Sequence, residues 1–223
     1  VRTTTVDGSM TARMKREDLI ITSEIKPGDV IVGLSSSGQA SYEKEYNSGI
    51  GSNGLTSARH DILKKDYLHK YPESFDPATD TSVLYVGSKN LQDKLEGTPL
   101  DYGKALLSPT KTYAPVMKAI LDEMRGNVHS LVHCTGGGQT KVLHFVDNLK
   151  IVKDNLFPVP PLFEAIQRES GTSWQEMYKV FNMGHRMEVY LPNEHANTLI
   201  EIANRFNIDA QVIGRVEAAD KNE

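Results

Sequence analysis

The sequence predicts an α/β layered (α+β) domain in which a mixed β-sheet is flanked by helices. Segments with helical and strand periodicity alternate from residue 110 to the C-terminus, which is typical of layered folds. Hydrophobic residues make up 39% and charged residues 24% of the 223 residues, so the chain can bury a sizeable core. This length fits one large domain, or one domain with part of another.

The N-terminal half combines strand-like segments with long polar loops. Val1–Lys15 is rich in β-branched residues and is predicted as a strand that turns near Asp7 and Gly8. A Pro-Gly pair at 27–28 predicts a turn, because proline fixes φ and glycine accepts a left-handed conformation. The elements predicted after it are a buried strand over Val30–Leu34, a polar loop over 35–54, a helix over Leu55–His69, a strand over Val83–Val86 and a short helix near Leu91.

The C-terminal half has clearer periodicity. Tyr113, Val116, Ile120 and Met124 recur at helical spacing and predict an amphipathic helix. Ser173 and Glu176 have the spacing of a capping box, which predicts a helix start. The other predicted elements are strands over Val128–Thr135, His185–Leu191 and Ala210–Ala218, and helices over Gln139–Val146, Phe157–Ser170 and Asn193–Asn207, the last capped by Asn193.

The composition argues against several classes of partner. The formal net charge is −4 and the basic residues are scattered, so neither nucleic acid nor an anionic membrane is expected to bind. No segment approaches the apolar length of a membrane span. The single cysteine, Cys134, cannot form an internal disulfide and suits a reducing compartment, so a cytoplasmic location is expected.

The first candidate site is a glycine run between a predicted strand and a predicted helix, formed by Thr135, Gly136, Gly137 and Gly138. Backbone N–H groups at such a junction can bind an anion, and glycine lets the backbone approach it closely. A phosphate-bearing ligand is the natural occupant. The alternative is a joint that serves only tight strand–helix packing. The spacing matches neither the dinucleotide pattern nor the Walker lysine pattern.

A second candidate site lies in the polar loop over 35–54. The loop stands between a buried strand and a helix, where α/β folds bind ligands. Plain turns are the alternative, because Ser, Asn and Gly are common in turns. The candidate ligand-binding residues are Ser36, Ser37, Gly38, Ser52, Asn53 and Gly54.

The histidines predict no metal site. His129 and His133 alternate along one predicted strand and face the same side, which places Cys134 on the other side and disfavours zinc. A structural role is one interpretation of His133, and contact with a phosphate is the other. Cys134 is expected to be a small buried hydrophobe rather than a nucleophile. His185 and Arg186 are expected at solvated positions, with phosphate contact as the alternative.

Five motifs occur in order: "PGDVIVGLSSSG" at 27–38, "SNGLTSAR" at 52–59, "LLSPTKTY" at 106–113, "HSLVHCTGGG" at 129–138 and "EMYKVFNMGHRM" at 176–187. Together they resemble the motifs of the aminoimidazole ribonucleotide synthetase (phosphoribosylformylglycinamidine cyclo-ligase) family of purine biosynthesis. The likeness covers nearly the whole chain, and five ordered motifs make it specific.

This resemblance implies half of a larger enzyme. The family's enzymes are homodimers whose subunits have two halves, and the N-terminal half carries most contacts to ATP and Mg²⁺. Residues 1–15 would be the end of that half, and residues 16–223 would be the C-terminal α/β domain. The family's acidic metal-binding motifs are not found in this sequence, so the chain is expected to bind neither cofactor tightly by itself and to be inactive alone.

The resemblance also implies a reaction. ATP would phosphorylate the formyl amide oxygen of formylglycinamidine ribonucleotide, and the amidine nitrogen would then displace phosphate and close the imidazole ring. Thr135–Gly138 would bind a phosphate, and Ser36, Ser37, Ser52 and Asn53 would line the substrate. His133 would be the candidate catalytic residue, as an acid/base or a phosphate contact.

The sequence differs from the family pattern at three places. Gly51 stands where the family commonly has His before Ser-Asn-Gly. Residues 39–50 form an insertion between the Ser-Ser-Ser-Gly segment at 35–38, which we call the serine loop, and the Ser-Asn-Gly motif. His185 and Arg186 stand within the turn where the family has Gly-x-Gly-Met, which adds charge where glycine is usual.

Two other classes of function remain open. The first is another enzyme of the same architecture, namely selenophosphate synthetase, thiamine-phosphate kinase or formylglycinamidine ribonucleotide synthase. The second is a non-catalytic ligand-binding or scaffold domain, as in related hydrogenase-maturation proteins. "LLSPTKTY" and the Phe-Asn-x-Gly segment favour the cyclo-ligase.

Overall fold

A computed structural model describes residues 8–52 and 54–223. One five-stranded sheet has the order β2-β4-β1-β5-β3, and each of its four strand pairings is antiparallel. The α/β layered fold is therefore confirmed, but the sheet is antiparallel rather than mixed. The strands are β1 (Asp29–Ser35), β2 (Ser130–His133), β3 (Leu149–Val152), β4 (His185–Pro192) and β5 (Ala210–Ala218).

Seven α-helices belong to the described part of the chain. They are α1 (Leu55–Ile62), α2 (Asp66–Lys70), α3 (Tyr102–Leu106), α4 (Ala114–Met124), α5 (Pro161–Ser170), α6 (Trp174–Val180) and α7 (Ala196–Arg205). Short 3₁₀ helices lie at Arg16–Asp18, Thr22–Glu24, Pro72–Ser74, Thr81–Val83, Arg125–Asn127, Gly138–His144 and Asn193–His195. Among these helices, none combines the length and the apolar character that crossing a bilayer requires.

The two faces of the sheet are covered by different elements. On one face, Val32 and Leu34 of β1 share a core with α4 and α7, represented by Ile120 and Leu199. On the other face, residues of β1, β2, β4 and β5 pack against the segment that runs from the glycine run to β3. β1 lies in the middle of the sheet and is buried along nearly its whole length, as its continuous apolar run predicts.

A second layer, built from helices, lies beside the sheet. Helices α1, α3, α5 and α6 enclose a separate apolar core around Phe163 and Phe181, whose rings are 5.5 Å apart. Loop residues between α2 and α3, including Leu84 and Leu95, complete this core. The helical layer thus lies beside the ends of the sheet strands.

Sequence periodicity located most elements, and its failures have local causes. The strands β1, β2, β4 and β5 and the helices α4, α5 and α6 are confirmed, and Ser173 caps α6 by accepting from the Glu176 N–H. The predicted helix over Leu55–His69 is broken, because the backbone at 63–64 pairs with 87–89 instead. The predicted strand over Val83–Val86 and the helix near Leu91 are wrong, and α3 and β3 were missed.

Two terminal predictions need separate statements. Asn193 does not cap α7, because a 3₁₀ turn over Asn193–His195 precedes the helix. The N-cap residue of α7 is His195. The strand predicted over Val1–Lys15 lies partly outside the described residues. The described part, 8–15, is exposed and has no regular secondary structure.

The insertion over 39–50 is packed against the "LLSPTKTY" motif. The Ser48 N–H donates to the Ser108 hydroxyl at 3.1 Å, and Asn47 donates its side-chain amide to the Pro109 carbonyl at 2.9 Å. Lys111 is almost fully buried, pairs with Glu43 and also donates to the Gly38 carbonyl. The motif therefore holds the insertion through hydrogen bonds and a buried ion pair.

We expect Lys111→Met to destabilise the protein by about 3 kcal/mol, because it leaves the Glu43 carboxylate without its buried cation. Urea denaturation measures this change. The double variant Lys111→Met/Glu43→Gln should recover part of the loss, since no isolated charge then remains. A double variant as unstable as the sum of the two single variants would contradict this account.

The stability of the protein is expected to fall in mild acid. Burial, followed by the charge of Arg59, lowers the pKa of His60 to about 4 from its ordinary 6.5. Between these values the unfolded chain binds more protons than the folded one, so the free energy of unfolding falls as pH falls from about 6.5 to about 4. The loss from His60 is on the order of 2 kcal/mol.

Urea denaturation at a series of pH values tests this expectation. His60→Phe keeps an aromatic ring against Tyr85, which the His60 ring meets edge to face at 4.5 Å, and removes the titrating group. The variant should show a shallower acid slope than the native chain. Equal slopes would assign the acid sensitivity to other groups.

Candidate functional site

The topology of the sheet brings the candidate loops together. β1 and β2 both run antiparallel to their neighbour β4, so their C-terminal ends lie beside the N-terminal end of β4. The serine loop follows β1, the glycine run follows β2, and Phe181–Arg186 leads from α6 into β4. We call Phe181–Arg186 the α6–β4 segment. A register shift between Leu34 and Ser35 ends the regular pairing of β1 at this edge.

Asn182 of the α6–β4 segment connects two of the loops. This side chain is 3% exposed; it accepts from the Ser36 hydroxyl at 2.6 Å and donates to the Gly49 carbonyl at 2.8 Å. Its backbone carbonyl accepts from the side-chain amide of Gln139, directly after the glycine run. One residue thus contacts the serine loop, the loop before Ser-Asn-Gly and the start of the 3₁₀ helix.

Arg186 is buried, so the expectation of a solvated position is wrong. It is 2% exposed, and its Nη2 donates to the carbonyls of Gly49 at 3.1 Å and Ile50 at 2.7 Å. A Cβ on Gly51 would lie within 3.0 Å of the guanidinium, so the side chain occupies space that any other residue at 51 would fill. His185 is likewise buried rather than solvated.

The serine loop is held by backbone as well as side-chain bonds. Ser36 is 1% exposed, and its N–H donates to the Gly184 carbonyl at 2.9 Å. Tyr113 of the "LLSPTKTY" motif donates its hydroxyl to the Ser35 carbonyl at 2.9 Å. Ser37 is half-buried, and Gly38 pairs with Asn47 through two backbone hydrogen bonds.

The Ser-Asn-Gly motif lies at the start of α1. Ser52 is exposed, and Asn53 lies outside the described residues. Gly54 has a φ of 73° and faces the Phe181 ring so closely that a Cβ would lie within 3.0 Å of it. Gly54 therefore serves the packing of α1 against the α6–β4 segment.

The glycines of the run differ in their surroundings. A Cβ on Gly138 would lie 2.7 Å from the Phe181 carbonyl and 2.9 Å from the Lys179 carbonyl, so Gly138 is required for packing against the end of α6. Gly137 has a φ of 94°, and the nearest atom to its Cβ position is 3.5 Å away on Lys141. Gly136 is exposed and Thr135 is half-buried. The packing interpretation fits Gly138, whereas Gly137 needs glycine only for its backbone angle.

His133 stands exposed at the end of β2, next to the glycine run. Desolvation, then the charges of Arg186 and Lys141, lowers the pKa of His133 below its ordinary value. The imidazole is therefore neutral at pH 7 and able to accept a proton. His129 instead contacts the Asp29 carboxylate at 2.9 Å and is a satisfied structural histidine.

Cys134 faces the core within a compact polar group. Its thiol, His185 and Glu188 place their ligand atoms within 4.8 Å of one another, but Lys153 also binds the Glu188 carboxylate. His185 and the Tyr190 hydroxyl complete the contacts of that carboxylate. Burial, followed by the charge of Glu188, raises the pKa of the Cys134 thiol well above its ordinary value, so this thiol is not an activated nucleophile.

The structure brings Ser36, the Gly49–Gly51 backbone and the glycine run around the α6–β4 segment. Ser52 is exposed at the start of α1, and no hydrogen bond of the described residues joins its side chain to these loops. The sequence interpretation placed Arg186 at a solvated position and did not include Asn182 among the site residues. The signal for Arg186 was the coincidence of a glycine at 51 and a charged residue within a glycine turn.

Comparison with known proteins gives a consistent result. Residues 26–223 match the family described as AIR synthase related protein, C-terminal domain. Phosphoribosylformylglycinamidine cyclo-ligases of Methanocaldococcus jannaschii and Methanococcus maripaludis are 37% and 36% identical to the chain, over 94% of its length and 50% of theirs. The chain thus spans about half the length of the curated relatives it matches.

A solved structure has the same fold at low identity. Thiamine-monophosphate kinase from Stenotrophomonas maltophilia K279a superposes with a TM-score of 0.52 at 15% identity, over 94% of this chain and 54% of that chain. This likeness concerns the fold alone.

Proposed function

Because the chain belongs to the family of AIR synthase related proteins, C-terminal domain, we propose that it is the C-terminal domain of an ATP-dependent cyclo-ligase. The enzyme converts formylglycinamidine ribonucleotide to aminoimidazole ribonucleotide in purine biosynthesis, in the cytoplasm and as a homodimer. The observation that carries this proposal is that Asn182 of the "EMYKVFNMGHRM" motif bonds both to Ser36 of the serine loop and to Gln139, directly after the glycine run. Sequence identity to enzymes with this name supports it.

The reaction needs an anion site and a proton acceptor. ATP phosphorylates the formyl amide oxygen and leaves as ADP; the amidine nitrogen then attacks the same carbon, and phosphate departs as the C–N bond forms. The nitrogen loses a proton in this step, and we assign its acceptance to the neutral imidazole of His133. Positioning and charge stabilisation lower the barrier.

The candidate loops then divide the ligand contacts between them. Gly136 and Gly137 offer backbone N–H groups to a phosphate, next to His133, whereas the Thr135 N–H donates to the His133 carbonyl at 2.9 Å and leaves Thr135 its hydroxyl for a ligand. Ser37 and Ser52 stand at the accessible side of the two loops, while Ser36 fixes the first loop through Asn182. By their place in the Ser-Asn-Gly motif, we also assign Asn53 and Gly54 to substrate binding, and Gly54 in addition packs on Phe181.

The metal-ligating side chains that the described residues bring together do not fit a Mg²⁺ site. In the described part of the chain, the compact group of Cys134, His185 and Glu188 contains a thiol and already holds the Lys153 ammonium, whereas Mg²⁺ prefers several oxygen ligands. We therefore assign most ATP and Mg²⁺ contacts to residues outside these 223, and derive no step through the metal from this chain.

We expect the full-length protein to form aminoimidazole ribonucleotide from formylglycinamidine ribonucleotide and ATP, and the 223-residue chain alone to form none. Product formation and ADP release are measured together. Turnover of selenide or thiamine monophosphate by the full-length protein, without turnover of the amidine, would assign it to another enzyme of this architecture. ATP-independent binding without turnover would favour a scaffold.

Gly137→Ala should raise the KM for the amidine ribonucleotide about tenfold, because a Cβ would obstruct backbone contact with a phosphate. The change costs about 1–3 kcal/mol of stability, because φ at this position is 94°. Gly138→Ala serves as the contrast: its Cβ meets backbone carbonyls, so it should lower the melting temperature more. An unchanged KM in Gly137→Ala would leave the run with a packing role only.

A further inference from the structure

Arg186 is a buried cation that has no carboxylate partner among the described residues. The buried Lys111 and the largely buried Lys153 each have one, since Lys111 pairs with Glu43 and Lys153 pairs with Glu188. Among the described residues, Arg186 donates only to the carbonyls of Gly49 and Ile50, and its buried Nε has no hydrogen-bond partner there. The guanidinium therefore keeps unused donors and an uncompensated charge.

This arrangement is costly unless an anion completes it. Moving a guanidinium out of water carries a penalty of several kcal/mol, which two neutral carbonyls offset only in part. Burial accordingly lowers the pKa of Arg186, although a guanidinium stays charged at any physiological pH. Arg186 is also the group with the geometry to bind a phosphoryl oxygen pair.

The space that the Arg186 side chain occupies exists because residue 51 is a glycine. Gly51 has a φ of 60°, and a Cβ there would overlap the Arg186 guanidinium. Gly51 and Arg186 are also two of the places where the sequence differs from the family pattern. Their contact means that these two differences form one coupled feature, in which a glycine admits a charged side chain.

A second positive charge, that of Lys141, lies on the side of Arg186 toward the glycine run. Arg186 and Lys141 are the charges that lower the pKa of His133. Within the described residues, no ion pair includes Arg186, His133 or Lys141. Lys141 stands over the Phe145 ring at 5.9 Å, beside Gly137.

We propose that Arg186, admitted by Gly51, binds a phosphoryl group of the ligand, with Lys141 at the rim of the same site. The phosphoryl group completes the hydrogen bonding of the guanidinium and neutralises its charge. The inference rests on the proposed function for the identity of the ligand only. Two sources share this chemistry, the ribose phosphate of the amidine substrate and the terminal phosphate of ATP.

The test measures binding of inorganic phosphate, of the amidine ribonucleotide and of a non-hydrolysable ATP analogue to the full-length protein by calorimetry. Arg186→Gln keeps hydrogen-bond donors and removes the charge. We expect it to weaken phosphate binding about tenfold or more, as loss of a charge-assisted hydrogen bond does. One of the two organic ligands should lose affinity by the same factor as inorganic phosphate, and that ligand is the source of the phosphoryl group.

Lys141→Met supplies a second variant that does not depend on the buried side chain. It should weaken phosphate binding about two- to fivefold, as expected for a half-buried charge that water still screens in part. Lys70→Met is the matched control, because Lys70 stands over Tyr71 at 5.3 Å in the same manner but on α2. This control should leave the phosphate affinity unchanged.

The outcomes separate a ligand contact from a structural role. A folded Arg186→Gln with native phosphate affinity overturns the proposal, and a lowered melting temperature alone would indicate that Arg186 only holds the Gly49–Gly51 loop. If Arg186→Gln does not fold, equal affinities for Lys141→Met and Lys70→Met overturn it. If Arg186→Gln loses phosphate binding while the native full-length protein has no cyclo-ligase activity, the proposed function is refuted and this inference remains intact.

Discussion

The hydrogen bonds that the Asn182 side chain makes to two loops determine how the rest of the site is arranged. Its amide oxygen accepts from Ser36 and its amide nitrogen donates to Gly49, so both ends of the side chain are used inside a buried environment. A residue without both a donor and an acceptor would leave one loop with an unsatisfied buried group. Asn182 therefore links the serine loop directly to the loop before α1, and Arg186 holds the second loop from the same segment.

The antiparallel sheet explains why these loops meet at all. With β4 between β1 and β2, two strand ends and one strand start lie at the same edge of the sheet. The helical layer closes that edge, since Phe181 packs in its core while the Phe181 and Lys179 carbonyls lie against Gly138. The site thus lies where the sheet, the helical layer and the "LLSPTKTY" segment contact one another.

The buried cations in the described part of this protein are of two kinds: some are paired with a carboxylate of the protein, and one is not. Lys111 and Lys153 are neutralised internally and stabilise a loop and the polar group in the core. Arg186 lies close to the candidate ligand loops and is not neutralised by a described carboxylate. A structural charge needs its partner in the protein, whereas a charge that recognises a ligand needs that partner to arrive with the ligand.

The sequence by itself determined the α/β class, most strands and helices, and the loops that surround the site, because periodicity and turn residues act locally. It also located the glycine run, but could not distinguish Gly137 from Gly138, which differ only in what lies beside them. Strand order, the antiparallel pairing of every neighbour and the broken helix after Ile62 depend on pairing between distant residues. Only the tertiary structure decided that Arg186 is buried against Gly51, because that contact joins positions far apart in the chain and follows from close packing rather than from local propensity.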